Sequence, residues 1–291
     1  MHQDNSAKRV TIVSVAYNSA TVLTGMLASV PVETPVVIFD NASQDRSKLR
    51  EVIDGRGGKT QLVESDKNLG FGAGCNGGAA GAETEFLLFL NPDTVLFPDT
   101  LQKLIRAAER YPDASAFNPR ILDDDGTVIL KRRSDLVPRR AWLPRSALTQ
   151  DTIVPVLSGA ALFVRRDDFN AVGGFDTGIF LFFEDDDLSV RLAEAKGDLM
   201  YVHDARVRHV GGASSEWSAK SERLKNWHWG FSQIYTMRKH DRTMGGLGAF
   251  IKTGLRALSP ATMLSARRRK KYAARLAGMT TALRRGGGYI G

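Results

Sequence analysis

Four adjacent acids, Glu184-Asp185-Asp186-Asp187, follow the aromatic pair Phe182-Phe183 and make up the densest chemistry in the chain. Such a run repels itself unless a cation or a helix N-terminus offsets it. An acid-rich first helical turn would account for the run alone. A second acid, Asp93 in Asn91-Pro92-Asp93, stands directly after an apolar run. A carboxylate there suits Mg2+ or Mn2+, hard cations that take carboxylate and phosphate oxygens together. His209, between Val207-Arg208 and Val210-Gly211-Gly212, would complete a metal site with Asp93, although a lone histidine is as readily structural, which is how His203 reads. Taken together, Asp93, the acid run and a glycine-rich turn point to a site.

That turn is Asn68-Leu69-Gly70-Phe71-Gly72-Ala73-Gly74, opening a helix. Glycines let backbone approach a ligand, and free N–H groups at a helix start favour phosphate. It is not a P-loop, since no Gly-Lys-Ser/Thr follows, and a plain helix-capping turn would look the same. Asp40-Asn41-Ala42-Ser43 ends another apolar run. Asp40 there can accept a hydrogen bond from a pyrimidine or a ribose hydroxyl, or simply cap the next helix. Trp217, Trp227 and Trp229 offer rings to a sugar or lipid, or to a core.

The elements that must position these residues alternate. Val10–Ala16, Val36–Phe39, Gln61–Glu64 and Glu85–Leu90 read as strands. Ala20–Val30, Asp45–Gly55 and Ala73–Ala82 read as helices between them. Continuous apolar strands with crossover helices imply a mostly parallel α/β sheet covered on both faces. Ligands gather beyond the carboxyl ends of such strands, where Tyr17-Asn18, Asp40–Ser43 and Asn91–Asp93 all fall. Further on, Pro98–Arg110 is an amphipathic helix and 123–152 a polar, basic loop or short hairpin. Val154–Val164 reads as a strand, Leu188–Ala195 as a helix, Leu199–His203 and Val207–His209 as extended, and Ser218 to about His240 as a helix.

The charge is unevenly spread. The net +8 hides a tail from Arg238 onward with 13 Lys/Arg against Asp241 alone, and a body with 27 basic and 31 acidic residues. The Arg267-Arg268-Arg269-Lys270-Lys271 run, with apolar residues around it, suits an anionic membrane surface. A nucleic-acid partner is not expected, because no recognised binding module accompanies the charge. The single cysteine, Cys75, excludes a disulfide framework and fits a reducing compartment. No stretch reaches the ~18 apolar residues of a spanning helix, and Val10–Ala16 lacks the flanks of a signal peptide. The expected location is cytoplasmic, peripheral on the inner face of the membrane.

In order, Val13-Ser14-Val15-Ala16-Tyr17-Asn18, Asp40–Ser43, Asn68–Gly72, Phe89-Leu90-Asn91-Pro92-Asp93, Gly173-Gly174-Phe175-Asp176, Glu184–Leu188 and His209 resemble glycosyltransferase family 2. The likeness is greatest to its rhamnosyltransferase and galactofuranosyltransferase branches and covers about residues 10–240. It implies a GT-A fold: a nucleotide-binding sheet, mostly parallel and mixed at one edge, flanked by helices. Residues 1–240 would form that domain and 241–291 a basic, helical, amphipathic C-terminal tail.

By that resemblance Tyr17 and Asp40 lie near the nucleobase and Asn68 near the nucleotide. Asp93 matches the last acid of an Asp-x-Asp metal motif, in which Asn91 replaces the first acid, and His209 matches a further metal ligand. Asp185 matches the catalytic base and Glu184 an acceptor-positioning residue. The implied reaction is inverting transfer of a rhamnose-like or other hexose from a dTDP or UDP donor to a glycan or lipid-linked acceptor, in cell-surface polysaccharide synthesis with Mg2+ or Mn2+. The alternatives are a nucleotidyltransferase, which would want a glycine-rich loop where Tyr17-Asn18-Ser19-Ala20 stands, and a non-catalytic carbohydrate-binding protein of the same fold. An NAD oxidoreductase is disfavoured because the first strand–helix turn lacks glycines.

Overall fold

The computed structural model describes residues 6–144, 146, 148–210, 219–285 and 287–289. Ten strands form one sheet: β1 (Val10–Ala16), β2 (Val36–Asn41), β3 (Thr60–Ser65), β4 (Phe86–Leu90), β5 (Thr94–Leu96), β6 (Ala114–Leu122), β7 (Val128–Ile129), β8 (Thr152–Ile153), β9 (Ala161–Arg165) and β10 (Asp198–His209). The helices are α1 (Ser6–Arg9), α2 (Ala20–Ser29), α3 (Arg46–Asp54), α4 (Phe71–Ala79), α5 (Thr100–Arg110), α6 (Arg166–Ala171), α7 (Glu184–Ala195), α8 (Ala219–Lys239), α9 (Thr243–Ala257), α10 (Pro260–Met263) and α11 (Ala266–Arg285).

Along the sheet the order is β3-β2-β1-β4-β9-β6-β10-β5, with β7 on β6 and β8 on β10. The first four strands are parallel, as their apolar runs and crossover helices require. Beyond them β9 runs antiparallel between β4 and β6, while β6 and β10 pair in parallel. The fold is therefore α/β with a mixed sheet.

β4 shows how the sheet fills both faces. All five of its residues are buried. Phe86, Leu88 and Leu90 join the layer under α2 and α5 with Leu23, Met26 and Leu104. Leu87 and Phe89 join the opposite layer with Cys75 of α4, Phe175 and Leu188 of α7. Period-two alternation thus explains why an unbroken apolar run was needed here.

Several elements differ in extent from the sequence expectation: α7 begins at Glu184 rather than Leu188, so the acid run forms its first turn, and α4 spans Phe71–Ala79 rather than Ala73–Ala82. The two extended pieces near residues 199–209 are one long strand, β10, whose register against β6 shifts between Val202 and Arg206. A polar His203-Asp204 at that irregularity is what splits the apolar pattern. The Val154–Val164 reading resolves into Thr152–Ile153 and Ala161–Arg165 with a turn between, and that turn proves to be central to the site.

The basic C-terminal region is helical, and α11 packs along α8. A Cβ on Gly230 would lie 2.1 Å from Arg275 O, and one on Gly278 would lie 2.0 Å from Trp227 O. These two glycines let the helix backbones touch. Phe231, Ile234, Met279 and Ala282 are buried in the resulting seam. Among the described residues no helix is long and apolar enough to cross a membrane.

Candidate active site

β1 and β2 end side by side, with Ala16 opposite Asp40. Their loops are tied together: Asn18 N donates to Ser43 Oγ (2.9 Å) and Gln44 N to Asn18 Oδ1 (2.8 Å). Tyr17 is left at the rim, 42% exposed. Asp40 is fully buried, and both its oxygens are engaged. Oδ1 accepts from Ser43 N and Oδ2 from Arg46 Nε, each at 3.0 Å. Arg46 also donates to Ser65 O at the end of β3, so Asp40 braces three strand ends.

Asn41 ties this edge to the glycine-rich turn. Its Oδ1 accepts from Leu69 N (2.7 Å) and its Nδ2 donates to Gly70 O (3.0 Å). Asn68 Oδ1 accepts from Gly70 N (3.0 Å), closing a local turn. Gly70 sits at φ +89°, where a Cβ would lie 2.3 Å from Phe180 O. Phe71 N donates to that same carbonyl at 3.1 Å, which pins the 176–183 segment to the start of α4.

Asp93 follows β4, and its carbonyl accepts from Val210 N at 2.9 Å. The antiparallel β5–β10 pair sets His209 opposite Thr94. His209 Nε2 consequently lies 3.3 Å from Asp93 Oδ1, a buried oxygen with no hydrogen-bond partner among the described residues. Two ligands ~2.1 Å from one octahedral cation and at right angles would stand ~3.0 Å apart. An orphaned carboxylate oxygen and an imidazole nitrogen at nearly that spacing fit a divalent cation. Among the described residues no cluster of three or more His, Cys, Asp or Glu joins them, in keeping with Asn91 in place of an acid.

The four acids open α7, and each is treated differently. Asp185 Oδ2 accepts from Gly159 N (3.0 Å), while its Oδ1 lies 2.7 Å from Lys131 Nζ. The same ammonium lies 2.8 Å from Asp186 Oδ2. Burial works against Lys131, but Asp185 and Asp186 outweigh it and raise its pKa. Asp187 is fully buried and held by Arg191, Lys239 and His240, each at 2.8 Å. Among the described residues Glu184 forms no ion pair, and its Oε2 is buried without a hydrogen-bond partner. Burial, with the charge of Asp185 added, pushes its carboxyl well above the usual range. Burial likewise raises Asp186, against the pull of Lys131.

These parts meet at the turn before β9. Asn91 N donates to Ala160 O at 3.0 Å, so the Asp93 turn hangs from one side of this segment. The neighbouring Gly159 N holds Asp185 from another side. A Cβ on Gly159 would lie 3.4 Å from Asp185 Cβ and 3.5 Å from Phe71 Cε1. Asp93, Asp185 and the glycine-rich turn therefore border one small region. Tyr17 and Asp40 stand along the same sheet edge.

Two residues that the sequence did not single out matter here, Lys131 and Gly159, while Asn41, part of the Asp40–Ser43 motif, binds the glycine-rich turn. Lys131 sits in the stretch read as a polar, basic loop, and its only signal is that it follows Val128-Ile129-Leu130. Trp227 stacks on Phe231 in the α8–α11 seam. Trp229 meets Phe183 (5.7 Å, 61°) and lies 3.9 Å beneath the Arg275 guanidinium. Trp217 and Gly211-Gly212 lie outside the described residues.

Residues 11–173 match the model for glycosyl transferase family 2. An N-acetylglucosaminyl-diphospho-decaprenol L-rhamnosyltransferase of Mycobacterium tuberculosis (strain ATCC 25618 / H37Rv) is 33% identical over 233 residues, covering 68% of this chain and 75% of that protein. Among solved structures, GalNAc-T7 with UDP, GalNAc and Mn2+ is similar in fold, with a TM-score of 0.62 and 16% identity. That similarity covers 90% of this chain and 54% of that one. The mannosyltransferase PcManGT from Pyrobaculum calidifontis, in complex with GDP-Man and Mn2+, gives a TM-score of 0.58 and 16% identity over 95% and 87% of the two chains.

Proposed function

The chain belongs to glycosyl transferase family 2, and from that premise we propose that it moves a rhamnose-like hexose from a dTDP or UDP donor, with inversion, to a hydroxyl of a lipid-linked glycan during cell-surface polysaccharide synthesis. One observation carries this reading: the Gly159-Ala160 turn joins the Asp93 turn to the Asp185 carboxylate, so that a departing group and an incoming hydroxyl would have facing partners.

Tyr17 offers an exposed ring to the base at the end of β1, and Asp40 with Arg46 forms the floor beside it. Asn68 shapes the turn whose backbone would face the nucleotide. A divalent cation held by Asp93 and His209, as Mn2+ is present in both structural neighbours, would stabilise negative charge on the diphosphate. Asp185 has Oδ1 taken up by Lys131 and by Asp186 N, while Oδ2, which accepts only from Gly159 N, keeps a free lone pair and takes the proton of the acceptor hydroxyl. Attack from that side inverts the anomeric centre. Glu184, driven toward its protonated form by burial, can donate a hydrogen bond to the acceptor and position it.

Attachment to the membrane would bring the enzyme to such an acceptor. On α9 and just beyond it, Met244, Leu247, Ile251, Leu255 and Leu258 recur at helical spacing and are all exposed. With the 267–271 basic run nearby, that stripe suits the face of an anionic bilayer. Flotation with anionic vesicles is the check, and absence of binding at low salt would end this part of the reading.

The reading as a whole is tested by Asp185→Asn. The variant should keep nucleotide-sugar binding, measured by thermal shift, and lose transfer by ~100-fold or more. Near-normal transfer would remove Asp185 from the role of base.

A further inference from the structure

A cleft of about 1080 Å³ opens between the 133–142 segment, α8 and α9. Five cations line it: Arg133, Arg139, Arg242, Lys252 and Arg256, against two acids, Asp135 and Asp241. Among the described residues none of the five cations pairs with a carboxylate; one of the acids, Asp135, is instead taken up by Gln233 Nε2 at 2.7 Å. Four of the five are exposed and only Arg242 is half-buried, so water screens their repulsion, but together they set up a positive field that draws an anion into the cleft.

The walls between the cations are aromatic. Trp142 lies under both Arg133 and Arg139, with guanidinium-to-ring distances of 5.8 and 5.7 Å. Phe183 and Trp229 form another wall, edge to face. Phe182 and Phe183 both adopt left-handed backbone, at φ 67° and 70°. Two consecutive bulky residues in that region are strained, and such strain gathers where a surface must be presented to a ligand. Here it turns Phe183 into the cleft.

The cleft also abuts the acids. Phe183 immediately precedes Glu184, and Lys131, two residues before Arg133, holds Asp185 Oδ1. Asp185 Oδ2 is held by Gly159, whose neighbour carries the Asp93 turn. One oxygen of the proposed base thus leads to the metal pair and the other to the cationic cleft.

We propose that this cleft is the acceptor subsite, and that it takes the diphosphate and first isoprene units of a polyprenyl-diphosphate-linked glycan. The proposal rests on the acceptor class given under the proposed function. The five cations supply the charge-assisted contacts a diphosphate needs. Trp142, Phe183, Trp229 and the methionines Met237 and Met244 supply the adaptable apolar surface a branched prenyl chain needs. The volume is at the upper end of that of small-molecule sites. The exposed stripe on α9 would hold the cleft at the bilayer surface, so the lipid tail need not leave the membrane for its head group to reach Asp185.

The test is direct binding of farnesyl diphosphate, a soluble probe, to the full chain, followed by tryptophan fluorescence and by calorimetry. Saturable binding to the wild type is expected. Lys252→Gln/Arg256→Gln, two exposed positions on α9, should weaken it by roughly tenfold or more. The same variant should raise the KM for acceptor and leave donor affinity unchanged. Arg133→Gln, in a different segment, gives an independent second variant, with melting temperatures confirming that both are folded. No saturable binding, or unchanged binding in both variants, would overturn the proposal. Displacement by UDP would overturn it by making the cleft a donor site, and displacement by a soluble short-chain phosphatidylglycerol, which forms no bilayer for the α9 stripe to bind, by making it a general headgroup site. Charge-dependent binding in a protein that fails to bind any nucleotide sugar would support the cleft while removing the donor half of the functional reading.

Discussion

Lys131→Met removes the one ammonium set against both Asp185 and Asp186. At 2.7 and 2.8 Å, each pair would be worth ~1.5 kcal/mol in a water-like dielectric and ~6 kcal/mol at an effective dielectric of 20. Because the lysine side chain is 26% exposed, solvent screening places the value nearer the lower bound, at ~2–3 kcal/mol. If Lys131 orients the base, kcat should fall by ~30- to 150-fold, while donor affinity stays within about twofold. The unpaired acid cluster should also hold its protons to higher pH, moving the acidic limb of kcat/KM upward by about one to two units. Lys131→Arg should restore part of the rate. The assay is transfer to a short-chain lipid-linked acceptor across pH 5–9, with thermal unfolding run in parallel. A folded Lys131→Met enzyme with normal kcat and an unmoved acidic limb would show that Asp185 does not depend on this contact, and would weaken its assignment as base.

Gly70→Ala should lower stability by ~2–4 kcal/mol, because alanine resists φ +89° and its Cβ would collide with Phe180 O; an unchanged melting temperature would contradict this. Burial alone would raise the Asp187 carboxyl, but His240, Arg191 and Lys239 outweigh it and hold it at about 2. Its stabilisation of ~2 kcal/mol is therefore complete above pH ~4 and lost as pH falls through 2, and urea midpoints of wild type and Asp187→Asn should converge over that window. Chelation should abolish activity and Mn2+ restore it, and His209→Ala should raise the Mn2+ concentration for half-maximal activity by ~10-fold or more. Full activity in excess EDTA would remove the metal from the reaction.

Much of this was legible in the sequence, for reasons that particular residues show. The unbroken run Phe86–Leu90 could only be a strand buried on both faces, and it is. Asp93 could be ranked above other acids because it followed such a strand, where backbone ends and ligands collect. The glycine-rich segment was visible as well, but its glycines proved to serve two ends. Gly70 makes the turn, whereas Gly74 and Gly78 bring α4 against Val15 and Val13 of β1. Composition does not separate a glycine that admits a ligand from one that admits a neighbouring strand.

What sequence alone determined was local: which segments are strands or helices, and which polar residues stand at their ends, since hydrophobic period and turn chemistry are properties of neighbours along the chain. Only the tertiary structure decided which of those ends meet. Lys131 reaches Asp185 from 54 positions away, Gly159 from 26, and α11 closes on α8 through two glycines 48 residues apart. Such partners leave no periodic trace, because a contact across the fold is fixed by the antiparallel insertion of β9 and the packing of helices on the sheet, and neither is encoded in any single window of residues.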